Sequence, residues 1–159
     1  MNKSTGTFKV RNKKAYFHYN ILETNVAGVQ LLGFDVKLIR SGKVSLSESY
    51  CNFIDNELYV SNFHLAERES DRVVVYKNKT QRKLLLNRRE LNKWQKRVVE
   101  KGLSIIPIEM YFNENGFVKL EIALVKGKRE YDKRNSLKNS ESKRELDRHK
   151  KQNLSRYMS

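Results

Sequence analysis

Two apolar rows of period two, joined through one glycine-bearing turn, constrain this chain more than any other feature. Ile106, Ile108, Met110 and Phe112 alternate along one row. After Asn113-Glu-Asn-Gly116, Val118, Leu120, Ile122 and Leu124 alternate likewise. Successive side chains of a strand point to opposite faces, so each row predicts a strand with one buried face. The short Gly-containing connection joins them as a hairpin. Pro107 has no N–H for a ladder, which places it at an edge or a strand start. A hairpin alone is marginal in water, so further strands or a helix must cover its apolar side.

The rest of the chain supplies them. Ser49-Tyr-Cys-Asn-Phe-Ile54 and Leu58-Tyr-Val-Ser-Asn-Phe63 flank the turn-forming pair Asp55-Asn56, a second hairpin. From Phe8 the chain reads as β, and Ala15 to Thr24 is rich in aromatic and β-forming residues. One good helix lies between the hairpins. Asn87 is its N-cap, with Glu90 three residues later as in a capping box. Leu91, Trp94 and Val98 form its apolar stripe, and Gly102 suits its C-terminal stop. Its outer face carries Arg88, Arg89, Lys93, Lys96 and Arg97. Gly33 to Arg40 predicts a short helix with Val36 and Ile39 one turn apart and Gly42 as its stop. No internal repeat is visible. Strands without βαβ alternation predict a mostly β or α+β domain with antiparallel pairing. A small closed barrel would remove its edges.

Charge divides the chain. Of 159 residues, 33 are Lys or Arg and 18 Asp or Glu, a net +15. Residues 1–125 hold 21 basic and 13 acidic side chains, and residues 126–159 hold 12 and 5. The last 34 residues contain only six of the hydrophobic set: Tyr131, Leu137, Leu146, Leu154, Tyr157 and Met158. That cannot build a core, so the expectation is a basic C-terminal arm, disordered when free. The division is a flexible leader at 1–7, a folded domain at 8–129 and a tail at 130–159. An excess of this size points to a polyanion, nucleic acid or an anionic membrane.

Other classes lack residues to support them. No run of 18 apolar residues exists, and Met1 to Val10 has no apolar signal region, so neither a span nor a secretory leader is expected. One cysteine, Cys51, makes no internal disulfide, which fits the cytoplasm. No cofactor motif, P-loop, CxxC or H-E-x-x-H occurs, so neither an enzyme nor a metal protein is expected. His18, His64 and His149 read as surface or packing residues, and Cys51 as a small hydrophobe.

Five segments, in order, resemble one family. Asn12-Lys-Lys-Ala15 resembles its early basic motif. Gly33-Phe-Asp-Val-Lys-Leu-Ile-Arg40 resembles G-x-E-(V/I)-K-S-(L/I)-R. Arg82-Lys-Leu-Leu-Leu-Asn-Arg-Arg-Glu-Leu91 resembles R-K-L-L-L-N-x-x-E-(L/I). Lys101-Gly-Leu-Ser-Ile-Ile-Pro107 resembles K-G-(L/Y)-T-(L/I/V)-V-P. Lys126-Gly-Lys-Arg-Glu-Tyr-Asp-Lys-Arg134 resembles G-K-K-x-(H/Y)-D-K-R. The family is SmpB, the SsrA-binding protein. The resemblance implies an oligonucleotide-binding (OB-like) antiparallel β-barrel with flanking helices. It implies binding to the tRNA-like domain of tmRNA, and a tail that turns helical in the empty mRNA channel of the small ribosomal subunit, near its decoding centre. Phe17 and Val26 stand where many members have His and Glu, so neither role is carried over. Phe17 suits either stacking on a base or the core. The divergent loop from Ala66 to Lys79 receives no role.

RNA binding needs cations for phosphates and flat groups for unstacked bases. The expected barrel contacts are Asn12, Lys13, Lys14, Lys37, Arg40, Arg82, Lys83, Asn87, Arg88, Lys119, Lys126 and Lys128. Asn87 and Lys119 match the family's tmRNA-facing cluster. The expected tail contacts to the ribosome are Tyr131, Asp132, Lys133, Arg134, Lys138, Lys143, Arg144 and Arg148. Tyr131 occupies the family's His/Tyr position, where a ring can stack on a ribosomal base. Leu84, Leu85 and Leu86 read as core, and Tyr16, Tyr19 and Tyr59 as strand packing. Glu130–Arg134 and Asp147–Lys151 are i, i+4 pairs worth about 0.2–0.5 kcal/mol each, too little to hold the free arm as a helix. Residues 135–155, once helical, would span roughly 30 Å. Two other readings compete: a generic OB-type or ribosome-associated RNA binder, and an RNase.

Overall fold

The computed structural model describes residues 8–65 and 81–157, with side chains as far as residue 152. The expected leader at 1–7 and the loop at 66–79 lie outside the described residues. The chain divides into two compact units, Met1–Lys126 and Gly127–Ser159.

The first unit is mixed α/β, a large antiparallel sheet with flanking helices. In order come β1 (Lys9–Arg11), α1 (Lys13–His18), β2 (Tyr19–Val29), α2 (Gly33–Arg40), β3 (Val44–Ser45), β4 (Tyr50–Ile54), β5 (Glu57–Ser61), β6 (His64–Leu65), β7 (Arg82–Leu85), α3 (Arg88–Lys101), β8 (Ser104–Phe112) and β9 (Val118–Gly127). The seven-stranded sheet is ordered β1-β8-β4-β5-β7-β2-β9, and β8 also pairs with β9, so the order returns on itself. Strands β3 and β6 form a separate pair.

The hairpin of alternating rows is present as β8 and β9, from Ser104↔Val125 to Phe112↔Val118. On β9, Val118, Leu120, Ile122 and Leu124 all enter the main core. On β8 the row splits. Register shifts between Pro107 and Glu109, where two steps on β8 oppose one on β9. The extra residue is Ile108. A bulge of this kind turns the strand's faces over. Ile106 and Ile108 therefore fill a second cluster with Ala15, Ala123 and Val125, while Ile105 and Met110 join the main core. Pro107 lies inside the strand at this irregularity, not at its start.

Three local expectations change. Residues 13–18 form a helix where β was expected, because the Asn12 side-chain oxygen accepts the Ala15 N–H at 3.2 Å and opens a turn. The second hairpin turns through Asp55 and Asn56 as expected, at φ 49° and 61°, but its second strand, β5, ends at Ser61 rather than Phe63. Both central residues at positive φ match the strand twist, as in a type I′ turn. The third change is in the second unit. Glu130–Tyr157, α4, is one helix where a disordered arm was expected. No described residue of α4 is buried. Leu137 and Leu146, nine residues apart, fall on opposite sides at 100° per residue, so the helix has no apolar stripe.

Helices α2 and α3 stand where the sequence places them. In α3 the Glu90 carboxylate accepts the Asn87 N–H at 3.1 Å, and Gly102 closes it at φ 60°. Leu91 and Trp94 are buried. In α2 the Asp35 carboxylate accepts the Leu32 N–H at 3.2 Å.

Candidate nucleic-acid interface

The outward face of β2 and β7 carries the first group of candidates. Gly28 pairs with Leu85, and Val29 with Leu84. Strand alternation buries Leu84 completely and leaves Leu85 53% exposed. Leu85 was expected in the core; it is on the surface. Gly28 makes room for it, since a Cβ there would lie 3.3 Å from Leu85 Cβ. Val26, on the same strand as Gly28, is also exposed. Asn87, at the N-terminus of α3, is exposed two residues after Leu85. Leu86 packs partly against the main core.

The expected cations differ in how far they are free. Arg82 is spent inside the protein. Its guanidinium donates to both Asp35 oxygens at 3.0 and 3.2 Å and lies 4.9 Å from the Phe63 ring centre. Both side chains are only 12% exposed. Asn12 is buried too. Its amide donates to the carbonyls of Leu46 at 2.9 Å and Pro107 at 3.0 Å. Neither residue presents its polar group to a ligand, so both leave the contact set and become scaffold.

Others are tied at the surface. Arg88 binds Glu57 at 2.7 Å and the Asn56 carbonyl at 3.1 Å, and Lys83 sits 3.4 Å from Glu57. The Arg88 hydrogen bond is the main reason the Glu57 carboxyl is held below its ordinary range. Lys14 pairs with Glu48, and Arg40 covers the Phe112 ring at 5.7 Å. Exposed pairs of this kind contribute about 0–1 kcal/mol, so phosphate can replace the carboxylate. Lys13, Lys37, Lys119 and Lys126 carry no ion pair among the described residues.

The basic face of α3 is partly neutralised. Glu23 on β2 accepts from Lys93 at 2.7 Å, from Trp94 Nε1 at 3.3 Å and from Arg97. The Lys93 bond leads the causes that hold its carboxyl low. This clamp fixes α3 to the strand that carries Val26 and Gly28. Between 70 and 74 positions of sequence separate its partners, so no local pattern reports it.

In the second unit, the candidates from Tyr131 to Arg148 lie along α4. Tyr131 is 73% exposed. Asp132, Arg134, Lys138, Lys143, Arg144 and Arg148 are exposed, and Lys133 is half-buried. Arg134 and Lys138, and Arg144 and Arg148, are one turn apart, so the helix presents spaced cations. Lys128, just before it, donates to Ser136 Oγ at 3.2 Å.

Tyr16 is half exposed, while Tyr19, Tyr59 and Phe17 are intermediate. The Phe17 ring lies 5.0 Å from that of His18. Cys51 is buried, which pushes its thiol up. Among the described residues there is no acidic, His or Cys cluster able to hold a metal ion, and no helix long and apolar enough to cross a membrane.

Comparison with known proteins gives one result throughout. The family described as SmpB protein matches residues 9–152. The SsrA-binding protein of Christiangramia forsetii is 44% identical over 146 residues, 92% of this chain and 93% of that protein. That of Flavobacterium psychrophilum is 46% identical over 146 residues, 92% and 97% of the two chains. A solved chain described under "tmRNA-SmpB: a journey to the center of the bacterial ribosome" superposes with TM-score 0.64 at 37% identity, covering 82% of this chain and 94% of that one.

Proposed function

The chain belongs to the SmpB family, and from that premise we infer that it is an RNA-binding adaptor of trans-translation. It binds tmRNA and delivers it to stalled ribosomes. One observation carries this: the family match runs from residue 9 to 152, so the sheet unit and most of the basic helix fall inside it together. A generic RNA-binding barrel would account for the first unit alone. The protein works by binding, without catalysis or cofactor, in the cytoplasm where ribosomes are.

The returning strand order supports reading the first unit as an OB-like barrel, in which closure removes the exposed edges. Its tmRNA-facing surface centres on Leu85 over Gly28, with Val26, Asn87 and Lys119. Lys13, Lys37, Arg40 and Lys126 supply further phosphate contacts of this unit, Lys14 and Arg88 supply theirs by exchanging carboxylate for phosphate, and Lys128 supplies one from the second unit. The tail is read as an arm that exchanges between coil and helix when free, because no described side chain of α4 is buried to hold it. On the small subunit its cations neutralise phosphates along the mRNA channel, and Tyr131 stacks on a base.

The test is competition at physiological salt. The full-length protein should hold tmRNA against an excess of unrelated structured RNA. Equal affinities would leave only a generic RNA binder.

A further inference from the structure

Phe117 is the most exposed aromatic side chain described in the first unit, at 67%. Single exposed apolar residues are ordinary; what surrounds this one is not. The turn that presents it is pinned. Asn113 Oδ1 accepts the Phe117 N–H at 2.8 Å, Asn113 N–H donates to the Phe117 carbonyl at 2.9 Å, and Gly116 N–H donates to the Asn113 carbonyl at 2.9 Å. Gly116 takes φ 79°, which only glycine adopts without strain. The ring is therefore held out by fixed backbone.

Its neighbours form a strip. Lys119, two residues on, pairs directly with Tyr111, and Tyr111 pairs with Lys9 on its other side. Val118, Leu120 and Met110 face the core, so Lys119 and Tyr111 face outward. The Lys9 ammonium lies 5.9 Å from the Tyr111 ring centre. Lys9 is already committed to Glu109 at 3.0 Å, whereas Lys119 has no ion pair among the described residues. The strip thus offers two rings and one uncommitted cation. Rings accept the face of a base, and a neighbouring lysine takes the phosphate. A base inside a duplex hides both faces, so the ligand must be unpaired.

We propose that Phe117 and Tyr111 form a stacking platform for an unpaired nucleotide of the bound RNA, with Lys119 on its phosphate. This rests on the RNA-binding reading above and adds the kind of nucleotide that the hairpin takes.

The test uses full-length wild type, Phe117→Ala and Phe117→Trp, each checked for an unchanged melting temperature. Phe117→Ala should weaken binding to the tRNA-like RNA about tenfold, within the range for one lost stacked base. The slope of log K against log salt should not change, because a neutral ring releases no counterion. Phe117→Trp should restore affinity, and its indole fluorescence should be quenched by that RNA and by oligouridylate, but not by a fully paired duplex. Unchanged affinity for Phe117→Ala, or an unquenched indole, overturns the platform. So does loss of ribosome binding with RNA binding intact, which would make the ring a protein contact. If wild type shows no preference for the tRNA-like RNA, the adaptor reading fails. Quenching by oligouridylate then decides the platform alone.

Discussion

Arg82 and Lys83 are adjacent cations in one motif, yet the fold gives them different work. Arg82 is bidentate to Asp35 and nearly buried; Lys83 is one-third exposed beside Glu57. Removing one partner of a buried pair leaves the other charge uncompensated. Arg82→Gln should therefore cost about 3 kcal/mol of stability, and Lys83→Gln less than about 1 kcal/mol, read from denaturation midpoints. Glu109 makes a second residue-level case. The Arg11 hydrogen bond, then that of Lys9, holds its carboxyl low. A depressed folded value means its contribution is complete above the unfolded carboxylate pKa of about 4.3 and is lost as pH falls through the folded value. Glu109→Gln should flatten the acid side of the stability curve. Midpoints at neutral pH and below pH 4 test it: the gap between wild type and variant should close on acidification. Neither pair was legible in the sequence, since Asp35 and Arg82 are 47 positions apart and Arg11 and Glu109 are 98. Leu84, Leu85 and Leu86 show the same limit at short range. Three identical residues carry no alternation, so only the position of β7 decides which one faces water.

Elements were legible where caps and period agreed. The α3 helix has its Glu90 bond to the Asn87 N–H, its buried stripe and Gly102; α2 ends at Arg40, and Gly42 just beyond it donates its N–H to the Ile39 carbonyl at 2.9 Å. The first helix, α1, was missed because aromatic β-formers outweighed a single cap. Asn12 is the residue that decides the matter, and it serves three elements at once. It caps α1, donates to Leu46, and holds the β8 irregularity through Pro107. Asn12→Ala would remove the cap and leave two buried carbonyls short of donors. The expected cost is about 2–4 kcal/mol, seen as a lower melting temperature. At a temperature where the variant is folded, its affinity for tmRNA should match that of wild type. A folded variant that binds more weakly would instead make Asn12 an RNA contact, with the salt slope unmoved because a neutral amide releases no counterion.

At the scale of the whole molecule, nearly half the net charge rides on a segment without a core. The first unit carries its own packed interior; α4 carries exposed cations and no buried side chain among those described. Charge and composition divide the chain at 129/130, because they do not depend on tertiary contacts, whereas the compact units divide between Lys126 and Gly127. Whether the segment is helical depends on partners that no local pattern encodes. The two units therefore respond differently to salt. Each phosphate neutralised contributes roughly 0.7–0.9 to the slope of log K against log salt. Truncation after Glu130 removes Lys133, Arg134, Lys138, Lys143, Arg144 and Arg148 together. It should leave the melting temperature and the slope for the tRNA-like RNA close to wild type. The slope for small-subunit binding should fall by several units, and tagging of stalled peptides should stop. If both RNAs lose slope equally, the tail is an unspecific electrostatic arm. If neither does and rescue persists, the ribosomal contacts lie on the sheet unit.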